Sequence, residues 1–270
     1  MGKRTKHVKD NDKDKAWFKK QNATRPERDI AIKKTFLIYC EGEYTEPEYF
    51  KSFPVTTETK VEAIGLGRSR TALVEKVIEL ISEIEIDTDQ EIWVVFDRDV
   101  KYDNKEQGDK DFNNALNIAK KNGIKCAYSN DCFELWFILH DDYLESALHR
   151  TQIYSKLSEK FDFNYEKYGK GEDFTKSLYH TFLNNMPYAI RNAQRLHLSH
   201  FDKEYHLQNP CTTVYKLVEA LNENLRKWVY TPNPSIYPDI LLNKSPSIPT
   251  KERNSQSSFQ PWHFVNKKAQ

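Results

Sequence analysis

The feature that most constrains the fold of this chain is an apolar run that ends in two carboxylates. The segment from Ile92 to Phe96 is uninterrupted and is followed by Asp97, Arg98 and Asp99. Such a run predicts a strand buried on both faces, and in parallel sheets the usable site lies just outside the carboxyl ends of the strands. Alternation along the strand can turn both carboxylates to one side, where their oxygens would suit a hard cation such as Mg²⁺. A strand that ends in a solvated, charged turn is the structural alternative.

Composition limits the class of protein. The 270 residues are 38% hydrophobic, which is enough for one large domain or a domain with a substantial appendage. The net charge of +1 gives no overall basic field, although local basic patches remain possible. The four cysteines lack metal-ligand spacing and predict free thiols in a reducing compartment. With no apolar run of transmembrane length and no signal-peptide pattern, we expect a cytoplasmic protein that does not associate with membranes.

A second strand, Thr35 to Cys40, also ends in an acid, Glu41. Gly42 permits a tight turn, and Thr45 is a suitable N-cap for a helix that runs to about Phe53. This strand therefore brings a carboxylate to the same edge of the sheet as the Asp97 and Asp99 pair.

The next strand is predicted over Lys60 to Ile64 and leads into a glycine-rich loop that carries Arg68 and Arg70. A loop of this kind before a helix can bind phosphate, but it lacks the glycine and lysine spacing of a P-loop, so a plain connection is equally consistent. Apolar residues at helical spacing from Ala72 to Ile84 then predict a crossover helix that returns to the central strand.

After Asp99 the pattern predicts a polar loop over 100–109 that can close over the site, a helix from about Lys110 to Asn122, and a fourth strand from Ile124 to Tyr128. An apolar helix capped by Asn130 or Asp131 is expected next. Its first turn contains Glu134, which is interpreted either as a capping carboxylate or as an additional acid of the site.

The alternation of strands and helices predicts a doubly wound sheet of four parallel strands in the order 2-1-3-4, which places Glu41 beside the Asp97 and Asp99 pair. Four regions are expected: a basic, flexible arm over 1–34, an α/β domain over 35–148, a mainly helical C-terminal region over 149–230, and an extended tail over 231–270. The predicted helices of the third region are Gln152 to Phe161, Thr175 to Asn185, Pro187 to His197 and Thr212 to Trp228.

Three segments together resemble the RloB family of bacterial proteins. They are Ile38 to Pro47, Val94 to Asp99 and Ser129 to Trp136, and the first two are similar to the Toprim motifs of topoisomerases, primases and OLD-type nucleases. The resemblance is strong from about Thr35 to His140 and weaker as far as Trp228. It implies a Toprim-like fold and links the chain with bacterial defence loci and a partner ATPase.

The resemblance also implies roles for individual residues. Glu41 would act as general acid/base or metal ligand, and Asp97 and Asp99 would bind Mg²⁺ or Mn²⁺. By analogy with OLD-type sites, Glu46 and Glu134 would complete a second metal position. The turn after the first strand carries three further acids, so the sequence leaves open which of them joins Glu41: Glu43, Glu46 or Glu48. The expected substrate-binding residues are Arg68, Arg70, Arg98, Ser129 and Asn130.

These features predict a metal-dependent endonuclease that hydrolyses RNA, with tRNA as one candidate, or DNA, and that acts as an antiphage effector. Hard cations held by carboxylates stabilise charge on the attacking and leaving oxygens of a phosphodiester. Two other functions use the same residues. One is a non-catalytic subunit that binds a partner ATPase or nucleic acid, and the other is a nucleotidyl transferase.

Overall fold

The structure, a computed structural model, describes residues 31–99 and 104–226. Most of the predicted basic arm, residues 100–103 of the predicted loop and the whole predicted tail lie outside the described residues. The five strands of the described part are β1 (Lys34–Cys40), β2 (Thr59–Gly65), β3 (Gln90–Asp97), β4 (Lys125–Asn130) and β5 (Cys211–Thr212).

The strands form one sheet in the order β2-β1-β3-β4-β5, which confirms the predicted order of the first four. These four are parallel, with Cys40 opposite Val95 and Asp97 opposite Ser129. The prediction of a purely parallel, four-stranded sheet is wrong, because β5 pairs antiparallel with β4. Thr212 was expected to begin a helix and instead lies in a two-residue strand, which is too short to leave a periodic pattern in the sequence.

The predicted helices are found in the predicted order with shifted boundaries, and a short helix over Tyr165–Tyr168 was not predicted. They are α1 (Thr45–Lys51), α2 (Arg70–Ser82), α3 (Lys105–Lys121), α4 (Leu135–Ile138), α5 (Arg150–Phe161), α6 (Tyr165–Tyr168), α7 (Glu172–Phe182), α8 (Met186–Ser199) and α9 (Val214–Asn222). Two 3₁₀ helices cover Leu183–Asn185 and Tyr205–Leu207. Among these described helices, none is long and apolar enough to cross a membrane.

Helix α3 begins at Lys105, five residues before the predicted start, so the loop expected over 100–109 is shorter than predicted. The first turn of α3 is polar and is stabilised by ion pairs four residues apart, Lys105 with Asp109 at 2.8 Å and Glu106 with Lys110 at 2.7 Å. An apolar periodicity cannot reveal a turn that has no apolar face.

The prediction that Asn130 or Asp131 caps the apolar helix is also wrong. Asn130 is the last residue of β4, and its side-chain amide donates to the carbonyl of Gln208 at 2.8 Å. Asp131 instead accepts from the backbone N–H of Arg150 at 3.1 Å. The strand runs two residues beyond Tyr128 because β5 and the segment before it supply partners that are distant in the sequence.

Alternating residues of the strands bury two hydrophobic cores, one on each face of the sheet. On one face Phe36, Ile38, Trp93 and Val95 pack with α1, α4 and the C-terminal helices. On the other face residues such as Leu37, Val94 and Phe96 pack with α2 and α3. Apolar side chains of α5, α7, α8 and α9 belong to the first core, so the C-terminal region is packed into the α/β domain and positions side chains at its sheet edge.

Candidate active site

The first acid of the site follows β1 directly. The backbone N–H of Glu41 donates to the carbonyl of Val95 at 2.8 Å, which extends the pairing of β1 with β3 by one residue. The Glu41 carboxylate accepts from the backbone N–H of Asp97 at 3.2 Å. Burial, together with the charge of Asp99, raises the pKa of Glu41 to about 7 against the opposing effect of that hydrogen bond. Glu41 can therefore hold or release a proton near neutral pH.

Glu46 is the acid that joins Glu41. It lies in α1 and is 8% exposed. Burial, together with the charges of Glu134 and Glu41, raises the pKa of its carboxyl group to about 7 against the opposing effect of its own backbone hydrogen bond. Glu48 instead pairs with Lys51 at 2.9 Å. Glu43 approaches Gly67, since a Cβ on that glycine would lie 3.0 Å from its carboxylate oxygen.

Asp97 lies at the carboxyl end of β3, where its carboxylate accepts from the backbone N–H of Phe133 at 3.0 Å. Burial and the charges of Glu46, Glu41 and Glu134 raise the pKa of Asp97 well above its usual range. The four carboxylates of Glu41, Glu46, Asp97 and Glu134 therefore act on one another electrostatically. We call these four residues the acidic cluster.

Glu134 is 4% exposed and occupies the residue before α4. Within the described residues its carboxylate makes no capping hydrogen bond to that four-residue helix, which removes the simplest structural explanation for the residue. Its charge instead raises the pKa values of Asp97 and Glu46. Its position indicates a member of the acidic cluster.

Asp99 forms an ion pair, although its charge also acts on Glu41 in the acidic cluster. The strand ends at Asp97, and Asp99 has a left-handed backbone with φ of 53°, so the alternation expected for the two acids stops between them. The carboxylate of Asp99 contacts the guanidinium of Arg150 at 2.5 Å. Burial disfavours the charged form of Arg150, but Asp99, Asp131 and Asp97 outweigh it and raise the pKa of Arg150.

Two tyrosines of the helical region lie near Glu134. Burial, followed by the charge of Glu134, raises the pKa values of Tyr154 in α5 and Tyr165 in α6. The ring of Tyr165 fits against Gly169, where a Cβ would lie 2.5 Å from the ring. The hydroxyl of Tyr165 is buried and has no hydrogen-bond partner in the described part of the chain. A buried hydroxyl of this kind can form a hydrogen bond with a ligand bound at the acidic cluster.

The residues expected to bind substrate have other partners. Arg98 is 5% exposed and pairs with Asp109 at 2.6 Å and with the side chain of Asn130 at 3.2 Å. The hydroxyl of Ser129 lies 3.0 Å from that of Thr212 and is buried. These three side chains hold the fold around the site. Their polar groups already have internal partners, and their role in substrate binding stays a prediction.

The two arginines of the glycine-rich loop differ from each other. Arg70 donates to Asp111 at 2.7 Å and to the carbonyl of Arg98 at 2.7 Å, and its charge lowers the pKa of Glu41. It therefore contributes to the electrostatics of the acidic cluster while linking α2, α3 and β3. Arg68 is exposed, and its charge, after the larger effects of Lys76, lowers the pKa of Glu79.

The sequence did not indicate Arg150, Tyr154 or Tyr165. The predicted helix began at Gln152, after the arginine, and the tyrosines are indistinguishable from core aromatics in a helix with an apolar face. No spacing rule connects them with acids more than fifteen residues earlier in the chain.

The donor chemistry of the acidic cluster fits a divalent cation. Its ligand atoms are hard carboxylate oxygens, and their mutual repulsion would be relieved by a positive ion. Residues 31–99 and 104–226 contain no group of three Asp, Glu, His or Cys side chains close enough to form a metal site without rearrangement.

The pKa values near 7 of Glu41 and Glu46 predict a pH-dependent stability. An unfolded glutamate has a pKa of about 4.3, so between roughly pH 4.3 and 7 the folded state binds more protons and the free energy of unfolding falls as pH rises. Thermal melts in EDTA should therefore show a falling Tm across that window, with the penalty complete above about pH 7. Glu46→Gln should flatten this slope. If Glu46→Gln left the slope unchanged, the ionisation of Glu46 would not contribute to the pH dependence of stability.

Gly42 predicts a second test of the geometry. A Cβ at this position would lie 2.1 Å from a carboxylate oxygen of Glu46, so Gly42→Ala should displace that carboxylate and lower the affinity for Mn²⁺ by about tenfold or more. Gly108→Ala is the matched control, because a Cβ there meets no atom within 4 Å and alanine favours the helix. Titration calorimetry measures the affinity, and equal affinities in the two variants would contradict the placement of Glu46.

Comparison with known proteins adds one match. The family model described as RloB-like protein matches residues 36–221, which is more than half of the chain and includes every member of the acidic cluster. No curated protein and no solved structure matches the chain significantly. The resemblance seen in the three strand-end segments is thus confirmed, and the chain belongs to the family of RloB-like proteins.

Proposed function

We propose that this protein is a divalent-metal-dependent endonuclease of the Toprim type. The observation that carries the proposal is the acidic cluster, in which burial and mutual repulsion raise the pKa values of Asp97, Glu41 and Glu46. Repulsive carboxylates are costly for a fold and are typical of functional sites. They follow the carboxyl ends of β1, β3 and β4, where ligands of parallel sheets bind.

A divalent cation held by these carboxylates would stabilise the charge that develops on a phosphodiester during in-line displacement. The residues of the chain supply the remaining functions. Asp97 is oriented by the N–H of Phe133, and Glu41 by the N–H of Asp97. Glu41 would accept the proton of an attacking water at its carboxylate, and the leaving oxygen of the phosphodiester would take up a proton from solvent.

The proposed substrate is RNA, with tRNA as the first candidate, or DNA, and the cofactor is Mg²⁺ or Mn²⁺. The family resemblance supports antiphage defence as the biological setting and an ATPase as a partner protein. Support for a polyanionic substrate comes from the positive residues around the acidic cluster, since Arg70, Arg150 and Lys170 lower the pKa values of its members.

The test is a cleavage assay on the purified protein with labelled DNA and with total tRNA, in Mg²⁺, Mn²⁺ or EDTA. We expect cleavage of one substrate class in either metal and none in EDTA, because oxygen ligands select hard divalent ions. Full activity in EDTA would contradict the metal mechanism. Binding without cleavage would indicate a non-catalytic subunit, and incorporation of labelled nucleotides would indicate a transferase.

A further inference from the structure

Arg150, in the helical region, contacts two carboxylates that lie beside the acidic cluster. One terminal nitrogen lies 2.5 Å from a carboxylate oxygen of Asp99 and 3.7 Å from one of Asp131. Its charge also lowers the pKa values of Asp97 and Glu41. Arg150 therefore neutralises part of the negative charge that a divalent cation would otherwise neutralise.

The contact is close but is not a fixed hydrogen bond. The nitrogen that faces Asp99 is buried and makes no hydrogen bond within the described part of the chain, so its contact with Asp99 is an ion pair alone. The side chains of Arg150 and Asp99 are 25% and 26% exposed. An ion pair between side chains that are partly exposed contributes little net stability.

The backbone of Arg150, in contrast, is held firmly. Helix α5 starts with a capping box in which His149 and Gln152 satisfy backbone N–H groups at its N-terminus. The backbone N–H of Arg150 donates to Asp131, which is 2% exposed. The guanidinium can therefore change partners while the helix stays in place.

We propose that Arg150 is an exchangeable counter-cation: it holds Asp99 in the free protein and moves to a phosphate of the bound nucleic acid, which releases Asp99 to the metal ligands. This inference rests on the proposed function and deepens it. Arg150 would thus contact the substrate phosphate directly and would affect metal binding through Asp99.

The exchange follows from charge and shape. A guanidinium and a divalent cation repel each other, so the pairing of Arg150 with Asp99 weakens the binding of a metal by the same carboxylate. A phosphate offers the guanidinium two oxygens with a spacing that matches its paired N–H groups. When Asp99 binds the metal, a phosphate of the substrate replaces it as the partner of Arg150. Substrate binding and metal binding therefore favour each other.

The proposal predicts opposite effects of one substitution. In Arg150→Met, the affinity for Mn²⁺ without nucleic acid should rise on the order of tenfold, because a like charge has been removed from the site. The affinity for labelled tRNA or DNA, measured by fluorescence anisotropy in Ca²⁺ under conditions where a gel shows no cleavage, should fall on the order of tenfold. Arg150→Lys should restore part of the nucleic-acid affinity, since it keeps the charge but not the paired geometry.

Arg195→Met is the matched control. It removes the same charge from another arginine of the helical region, whose terminal nitrogen lies 3.1 Å from Glu145 in an exposed pair. We expect both affinities of this variant to equal those of the wild type. Thermal melts of all variants verify that they are folded.

The outcomes separate this inference from the function on which it rests. If wild type cleaves with Mn²⁺ but Arg150→Met leaves both affinities unchanged, the exchange is contradicted and the nuclease stands. If both affinities fall together, Arg150 supports only the structure of the site, and the exchange is again contradicted. A wild-type protein that binds no Mn²⁺ and no nucleic acid would overturn the proposed function itself.

Discussion

Asp97→Asn should lower cleavage by about a hundredfold or more while leaving the fold intact. The charges of Glu46, Glu41 and Glu134 all raise the pKa of Asp97, so Asp97 lies at the electrostatic centre of the acidic cluster. Asparagine removes the charge that attracts a divalent cation, and loss of one metal ligand exceeds the 10- to 100-fold effects of residues that only support ligands. Rates of cleavage in saturating Mg²⁺ measure the loss.

The stability of Asp97→Asn should equal or exceed that of the wild type in EDTA. The asparagine side-chain oxygen can still accept the hydrogen bond from the N–H of Phe133, and the substitution removes charge repulsion. Trp93→Ala provides the contrast. Trp93 is 4% exposed and donates to Glu91 at 3.0 Å, so its removal should cost about 3 to 5 kcal/mol of unfolding free energy.

Denaturant unfolding separates the two substitutions. If Asp97→Asn lost as much stability as Trp93→Ala, the carboxylate would be part of the structural framework and the proposed site would be misplaced. Full activity in a folded Asp97→Asn protein would likewise contradict the proposed mechanism.

Glu134→Gln should also lower cleavage by about a hundredfold or more, with a Tm within a few degrees of the wild type. Glutamine keeps the size and the hydrogen-bonding oxygen of the side chain, so a purely structural carboxylate is largely replaced by it. A metal ligand loses the charge that holds the ion. Because Glu134 makes no capping hydrogen bond within the described residues, we expect the loss to appear in activity and in metal affinity.

Glu48→Gln is the matched control for this substitution. It makes the same change in a glutamate of α1 that is paired with Lys51 and lies 3.9 Å from Lys176, outside the acidic cluster. Breaking exposed pairs of this kind costs at most about 1 kcal/mol, and activity should be retained. An active Glu134→Gln enzyme would leave a smaller site of Glu41, Glu46 and Asp97.

The order of β1 to β4 and the position of the acids at their carboxyl ends could be predicted from the sequence alone. Both depend on local patterns: apolar runs such as Ile92 to Phe96 predict buried strands, and an acid directly after a strand lies at the edge of the sheet wherever that strand pairs. The family of the chain could be recognised for the same reason, since its motifs are continuous segments around Glu41, Asp97 and Glu134.

Only the tertiary structure decided which side chains meet. Glu46 and Glu48 are two residues apart on one helix, yet the first is buried beside Glu41 and the second pairs with Lys51, because α1 turns one face to the sheet edge. Arg98 lies between two acids in the sequence and was expected to bind substrate, but its guanidinium forms hydrogen bonds with Asp109 and Asn130. Arg150 and β5 come from distant parts of the chain, and their contacts arise from packing between segments, which periodicity within a segment does not encode.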